Sequence, residues 1–336
     1  MIRYIIRRSL GAGLVLVILS IVTFGIFNVG PRLTGANPAY LYVGKITSPA
    51  QIKAVEHKLG LDKPLAAQYV DYMSGIFLGR TVTDGTTVDR CPAPCLGYSY
   101  RYQTPVTTLI ANRFPVTLSL ALGAAVIWLV AGVLTGIASA LRRRSFVDRA
   151  SMTVALAGVS LPVFFTGLLL TAIFEYGPSW LQWFPNLHYV SFGTNPLSWA
   201  HNLLLPWLAL AFLYAALYAR LTRASMLETM AEDYVRTARA KGLPERTVIF
   251  KHGLRAALTP IVTIFGLDLG GLLGGAILTE TVFNLPGLGK LAYDAIGAED
   301  LPIILGTTLL AAVFIVVANL IVDVLYAVVD PRVQYS

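Results

Sequence analysis

The stretch that decides the fold is AEDYVRTARAKGLPERTVIFKHGLRAALTP, residues 231–260, a basic segment between two apolar runs. At positions i, i+3, i+4 and i+7 it carries apolar residues that share one face of a helix, namely Ala231, Tyr234, Val235 and Ala238. Gly242 suits the left-handed residue that ends a helix, and Pro244 just beyond it discourages continuation. The pattern predicts two short helices joined by a turn, the second over 245–255.

A basic helix–turn–helix between membrane spans can be a surface that another protein grips, or its charges can do no more than orient the chain. Residue spacing alone leaves both interpretations open. The string DYVRTARAKGL at 233–243, followed by ALTP at 257–260, resembles the EAA loop of ABC-importer permeases. It is most similar to the first permease subunit of the dipeptide, oligopeptide and nickel branch.

The family pattern is Glu-Ala-Ala, three residues, Gly, nine residues, then Ile-x-Leu-Pro. The Glu-Ala-Ala positions hold Arg236, Thr237 and Ala238, and the glycine is Gly242; His252, Leu254 and Arg255 replace Ile, Leu and Pro. In the family this loop docks into a groove on a cytoplasmic ATPase. The resemblance implies an ATPase-coupling site at Tyr234, Val235, Arg236, Thr237, Ala238, Lys241 and Gly242. We expect the apolar stripe, which consists of Ala231, Tyr234, Val235 and Ala238, to face the groove on the ATPase. Arg236, Arg239 and Lys241 are expected around the rim of that contact.

Composition places the remainder of the chain in a membrane. Of its 336 residues, 56% are hydrophobic and 13% charged, and a membrane-spanning helix needs about 20 predominantly apolar residues. Six runs meet or approach this length: 9–29, 114–141, 150–174, 203–219, 258–279 and 303–325. The first is too long for a signal peptide and lacks a prompt cleavage site, so we interpret it as a retained span.

The net charge of +8 has a topological explanation. With the N-terminus inside, the cytoplasmic segments hold 16 of the 26 Lys and Arg residues. The short external loops hold only Lys290, and the long segment 30–113 is exempt from the rule. We therefore expect a multi-pass protein with both termini in the cytoplasm and no nucleic-acid partner. The resemblance implies the inner (plasma) membrane of a prokaryotic cell.

The expected fold is an all-α polytopic membrane protein with six transmembrane helices. The resemblance implies the type I ABC importer permease fold, with an external insertion between helices 1 and 2. The expected divisions are the N-terminal end and first span (1–29), an extracytoplasmic segment (30–113), and a five-helix core (114–336) that contains the coupling loop 220–257.

Three details of the helices follow from Pro and Asp positions. Pro115 is tolerated in a first helical turn, so the second span is expected to open at Phe114-Pro115. Asp148 can cap the third span, and Pro162 should kink that span because it removes a backbone donor.

The extracytoplasmic segment contains the only two cysteines, Cys91 and Cys95, in the string CPAPC. An oxidising exterior favours a disulfide between them, and two free thiols are the alternative. A metal site is disfavoured, since two thiolates at this spacing have no nearby His or Cys. A short helix is expected over 48–59.

The fifth span is unusual in carrying Gly266, Gly270, Gly271, Gly274 and Gly275. Their G-x-x-x-G spacings permit close approach of another helix. Asp268 lies within the same span, where a lone carboxylate is costly and should face a cavity or a partner. Asp268 and these glycines are thus candidates either for the translocation path or for helix packing.

The resemblance implies a permease subunit of an ATP-driven importer for peptides or a related solute, itself non-catalytic. Its expected partners are a second permease, two ATPase subunits or one fused ATPase chain, an external substrate-binding protein and membrane lipid. ATP and Mg are expected on the ATPase chains, with no cofactor on this one. A membrane enzyme is disfavoured because His57, His188, His201 and His252 are scattered. A self-sufficient secondary transporter or channel is the alternative.

Overall fold

The computed structural model of the chain describes residues 2–33, 35, 53, 56, 62–84, 87–185 and 187–329. Long helices dominate these residues, with a few short strands between the first helices. In chain order the elements are α1 (Ile2–Leu33), α2 (Leu65–Leu78), β1 (Arg80–Asp84), β2 (Thr87–Cys91), β3 (Tyr98–Ser99), β4 (Thr104–Pro105), α3 (Val106–Leu141), α4 (Phe146–Ser160), α5 (Val163–Phe174), α6 (Pro196–Thr229), α7 (Asp233–Ala240), α8 (Glu245–Thr247), a π-helix (Val248–Leu254), α9 (Arg255–Ala257), α10 (Thr259–Leu273), α11 (Ile277–Val282), α12 (Leu288–Gly297) and α13 (Leu301–Val329).

Four helical stretches in the described part of the chain are long and apolar enough to cross a membrane: Ile6–Ile26, Val106–Leu141, Pro196–Thr229 and Leu301–Val324. Two bent helix pairs also qualify, Phe146–Ser160 with Val163–Phe174 and Glu245–Ala257 with Thr259–Leu273. If each pair is one span, the total is six. The chain is therefore a polytopic helical protein with four to six membrane helices.

The core lies where α3 and α6 pack side by side along much of their lengths. Its fully buried side chains include Leu120, Trp128, Leu203, Tyr218 and Ile261. A second face of α3 is apolar but exposed, since Leu122, Val126, Val130 and Leu134 recur every four residues. One helix thus packs inward on α6 and presents an outer apolar face suited to lipid or to another subunit.

The expected start of the second span at Phe114 is wrong. Helix α3 begins at Val106, and Pro115 lies inside it. Val106 and Ile110 are buried against Leu288 and Ile303, and this contact extends the helix beyond the run that hydropathy selects. Packing of an amphipathic first turn, rather than hydropathy, sets where the helix begins.

Pro162 does more than kink the third expected span. The chain bends by 101° between α4 and α5, and Pro162 directly precedes α5. Asp148 is not the N-cap, because that position belongs to Ser145, whose side chain accepts the Asp148 N–H. The remaining expected spans also change length: the fourth is longer, and the fifth ends at Leu273, because Gly274 follows as its C-cap.

Residues 62–105, here named the disulfide segment, contain β-structure that the all-α expectation omitted. Strands β1 and β2 pair antiparallel from Arg80↔Cys91 to Asp84↔Thr87, and β3 pairs with β4. Helix α2 precedes them and packs on α1, with Tyr69 hydrogen-bonded to Ser20 at 2.7 Å. The short helix expected over 48–59 falls almost entirely outside the described residues.

Candidate functional site

The basic segment, defined as residues 233–257, folds as two short helices joined by a turn. Helix α7 ends at Ala240, and Gly242 has a φ of 74°, the left-handed conformation that the sequence predicted. The Leu243 N–H donates to the Ala238 carbonyl at 3.4 Å, the bond typical of a helix ended this way. Pro244 then caps the second helical stretch, which continues through a π-helix to Ala257.

The apolar stripe of α7 does not face outward as a unit. Val235 is fully buried and Ala238 nearly so, both packed with Val248 of the π-helix and with Met230. The expectation that these two residues face a partner groove is therefore wrong: the stripe closes the hairpin on itself. Burial of Val235 and Val248 therefore packs the two helices tightly against each other.

The outer face of α7 carries the remaining expected residues. Tyr234 is 46% exposed, and its hydroxyl lies 3.5 Å from the His252 carbonyl oxygen. Arg236 pairs with Asp233 while staying largely solvent-exposed, and Thr237 and Lys241 are also exposed. Tyr234, Arg236, Thr237 and Lys241 are thus all accessible, and we name these four exposed residues the outer face.

Two features of this surface were missed by sequence reasoning. Arg239 forms hydrogen bonds to both carboxylate oxygens of Glu245, at 2.7 and 3.2 Å, across the turn. Phe250 is 53% exposed and lines an open depression of about 430 Å³ with Arg246, Thr247 and Lys251. This exposed aromatic ring among cations is a second apolar contact point on the basic segment, in addition to Tyr234.

Apolar contacts join the basic segment to the long helices, and an ion pair joins those helices to one another. Ala257 and Met226 are buried with Ile137 and Ala140 at the ends of α3 and α6. Beside them Asp148 accepts hydrogen bonds from the Ser139 hydroxyl (2.5 Å), the Arg144 N–H (2.8 Å) and the Arg223 guanidinium (2.7 and 2.9 Å). Asp148 thereby ties α3, α4 and α6 together.

The glycines of the fifth expected span serve different contacts. A methyl group added at Gly266, Gly270 or Gly274 would collide with side chains of α13, so these three form the close helix–helix face that the spacing predicted. Gly271 meets nothing within 4 Å. Gly275 has a φ of 126° and lies against the backbone of the first turn of α12, at Leu288 and Gly289, not against α13.

Asp268 lies beside this face, half-buried on α10. Its Oδ2 accepts a hydrogen bond from the Tyr218 hydroxyl at 2.8 Å, which connects α10 to α6. Trp128 of α3 stacks on Tyr214 with ring centroids 4.6 Å apart, and its ring also lies near Tyr218 and Phe265. The carboxylate therefore borders an aromatic cluster in the helical core.

Glu280 is a fully buried carboxylate that the sequence did not single out. Its Oε1 accepts from the Thr117 hydroxyl (2.8 Å) and the Ala276 N–H (3.3 Å), and its Oε2 accepts from the Lys290 N–H (2.8 Å). Burial raises the pKa of Glu280, while these hydrogen bonds oppose the shift. Glu280 fixes α11 and the first turn of α12 to α3.

Cys91 and Cys95 form a disulfide, as expected. Both are buried, and the disulfide segment docks on the start of α13 through a 2.5 Å hydrogen bond from the Ser99 hydroxyl to Asp300. Gly97, with a φ of 136°, approaches Pro302 closely enough that a side chain would crowd it. The disulfide segment is thus fixed to the start of α13.

Comparison with known proteins covers nearly the whole chain. Residues 1–121 match the family described as binding-protein-dependent transport system membrane component, N-terminal. Residues 132–335 match the binding-protein-dependent transport system inner membrane component. Between them the two matches include α1, both ends of α3 and the basic segment.

Similar chains align end to end with this one. A protein of Brucella abortus, provisionally named a peptide transport system permease protein, is 38% identical over 332 residues, 99% of each chain. The glutathione transport system permease protein GsiC of Escherichia coli is 39% identical over 336 residues, all of both chains. This chain belongs to the family of inner-membrane permease components of binding-protein-dependent ABC transport systems.

Proposed function

We propose that this chain forms half of the translocation pathway of an ATP-driven importer for peptides or a chemically related solute. ATP hydrolysis, with its Mg, takes place on partner ATPase chains, and this chain carries neither catalytic residues nor a cofactor. A second similar permease completes the pore, and an external binding protein delivers the cargo. The names of the peptide and glutathione relatives support this cargo class.

The observation that carries the proposal is the construction of the basic segment. Work done on another chain must enter through a contact that moves as a unit. The segment meets this requirement, because Val235 and Val248 are fully buried between its two helices. Its outer face stays accessible, with Tyr234 and Phe250 both about half exposed. We assign this face to the ATPase, with Tyr234, Arg236, Thr237 and Lys241 in contact and Gly242 aiming the helix.

Orientation follows from the same assignment. The basic segment and the turn at 142–149 lie in the cytoplasm, and the disulfide segment lies outside. Single cysteines placed at 142–149 and 232–250 should react only after the membrane is opened, whereas those at 62–84 should react in intact cells. Labelling of a cysteine at position 245 from outside intact cells would contradict the scheme.

The proposal is tested by purification and transport together. A tagged chain, expressed with the genes beside its own, should co-purify ATPase subunits and a second permease. Reconstituted vesicles containing ATP and the binding protein should accumulate a labelled dipeptide. The matched control carries an ATPase whose catalytic residue is replaced. Uptake that persists in that control would make the chain a secondary transporter, and the proposal would be wrong.

A further inference from the structure

Three carboxylates in the helical part of the chain accept very different numbers of hydrogen bonds. Asp148 receives four hydrogen bonds from the chain, and Glu280 receives three. Asp268 receives one in the described part of the chain, from Tyr218 at 2.8 Å. Among the described residues no Lys, Arg or His pairs with Asp268. The chain therefore satisfies two of these carboxylates itself and leaves Asp268 incomplete.

The depth of Asp268 along α10 makes its lack of further polar partners costly in free energy. It lies nine residues into α10, which begins at Thr259, and at 1.5 Å per residue this is about 14 Å along the axis. That distance is close to half of an apolar bilayer core of about 30 Å. A carboxylate at this depth needs a countercharge or a polar cavity. Because Asp268 is only half-buried, its open side can receive a group from outside the chain.

The aromatic residues around the Asp268 carboxylate indicate which kind of group could bind there. Tyr214 lies one helical turn before Tyr218 on α6, and Phe265 lies three residues before Asp268 on α10, so both share the face of the site. Both rings pack on Trp128, with centroid distances of 4.6 and 6.1 Å. A carboxylate beside aromatic rings attracts a cation by charge and by the ring quadrupoles. An anion would meet repulsion there.

We propose that Asp268, with Tyr218 and the adjoining Tyr214 and Phe265 rings, is a site for a primary ammonium group of the cargo as it crosses the membrane. This inference rests on the proposed function, since it assigns a path through the chain to an amine-bearing solute such as a peptide with a free amino terminus. Tyr218 holds the carboxylate in place, and the second oxygen is left for the cation. The glycine face of α10, which packs against α13, is separate and serves packing.

Gly271 offers a direct probe of the site. It is exposed, a side chain there meets nothing within 4 Å, and it lies three residues beyond Asp268 on the same helix. In the assembled complex, the Gly271→Cys thiol is treated with a cationic and with an anionic methanethiosulfonate reagent. We expect the ratio of the cationic to the anionic rate to fall about tenfold or more when Asp268→Asn is added. The unsubstituted complex controls for reaction elsewhere.

A matched position separates a local effect from a general change in charge. Gly297 is also exposed and open but lies on α12. The rate ratio measured at Gly297→Cys should not change when Asp268→Asn is added. An unchanged ratio at Gly271→Cys overturns the proposal. So does a thiol at that position that reacts with neither reagent, because lipid or a partner side chain, such as a Lys of the second permease, then covers the site.

Transport supplies the second readout. With a labelled dipeptide that has a free amino terminus, Asp268→Asn should lower uptake about tenfold, because the amide keeps an acceptor oxygen but loses the charge that strengthens a hydrogen bond to ammonium. Asp268→Glu should retain most of it, and ATP hydrolysis stimulated by the binding protein should persist in both. Equal uptake by Asp268→Asn and the unsubstituted complex overturns the ammonium site. If the unsubstituted complex shows no ATP-dependent uptake, the proposed function fails instead, and the thiol ratio still reports on the site.

Discussion

The disulfide segment and the basic segment both lie outside the long apolar helices, but they are fastened to the chain in different ways. The disulfide segment is closed internally by the Cys91–Cys95 bond and is docked on the chain by the buried contact between Ser99 and Asp300. The basic segment is held by apolar burial at Val235 and Val248 and by exposed ion pairs such as Arg239–Glu245. Exposed ion pairs are worth less than about 1 kcal/mol each.

This difference indicates different mechanical roles. The disulfide segment is docked on the start of α13 by the Ser99–Asp300 hydrogen bond and adds a fixed part to one end of the bundle. The basic segment is internally rigid but exposes Tyr234 and Phe250, so its stability as a docking element depends on a partner. We expect substitutions in the basic segment to affect transport most and those in the disulfide segment to affect stability with little change in coupling.

The largest expected effect is at Gly242. Its φ of 74° is unfavourable for a β-branched residue, at a cost of about 1–2 kcal/mol. A side chain there meets no neighbour, so the strain is conformational rather than steric. Gly242→Val should abolish ATP-dependent uptake and weaken co-purification of the ATPase, because strain at this turn would change the orientation of α7.

Gly242→Asn is the matched control, since Asn adopts left-handed conformations far more readily. It should keep most of the uptake. Normal uptake by a correctly inserted Gly242→Val chain would mean that the basic segment is not the coupling element, and the comparison between the two segments would lose its basis.

Tyr234→Ala should have the next largest effect. Interface hot spots favour Tyr, and loss of such a side chain costs about 2 kcal/mol, or about thirtyfold in affinity. The apparent affinity of the ATPase for the permease, measured by titration in detergent, should fall by this amount. Lys241→Ala is the control and should change it little, since an exposed charge at the edge contributes less than about 1 kcal/mol. Equal losses from both variants would contradict the anchor role.

The sequence allowed the membrane class, the hairpin of the basic segment and the conformation of Gly242 to be predicted, because each depends on local pattern. The partner of the apolar stripe could not be predicted. Amphipathic spacing shows that Val235 and Ala238 have an inward side, but not whether another chain or the same chain covers it. The π-helix that supplies Val248 leaves no clear signal in the sequence.

Buried carboxylates were the other limit. Asp148 fits a capping position by sequence, yet it binds Arg223, 75 residues away. Glu280 adjoins the apolar fifth run, and its partners Thr117 and Lys290 become neighbours only through the fold. Such sites depend on long-range contacts, and spacing along a helix carries no information about them. Asp268 could be recognised because its depth in an apolar run is itself a local signal.

A smaller effect, on stability, is expected at Ser99. Its hydroxyl donates to Asp300 at 2.5 Å, and both residues are buried. Ser99→Ala removes the donor and leaves the carboxylate with less compensation, at a cost of about 1–3 kcal/mol. Limited proteolysis of the purified complex should cut the disulfide segment faster. Ser74→Ala, at an exposed serine of α2, is the control and should leave the rate unchanged. If Ser99→Ala also abolished ATPase binding, the disulfide segment and the basic segment would not have separate roles.

The smallest effect is expected from the disulfide itself. Cys91 and Cys95 are four residues apart, and closing so short a loop stabilises a fold by about 2 kcal/mol in the chain-entropy treatment. The buried Ser99 contact and the close approach of Gly97 to Pro302 remain when the bond is lost. Replacing both cysteines by Ser should therefore lower the melting temperature of the complex slightly and leave uptake nearly unchanged. Mass spectrometry of freshly isolated, oxidised membranes must first show the bond, and two free thiols there would refute it. If the bond is present and its loss stops uptake as Gly242→Val does, the Cys91–Cys95 bond takes part in the transport mechanism. The two segments would then not have distinct mechanical roles.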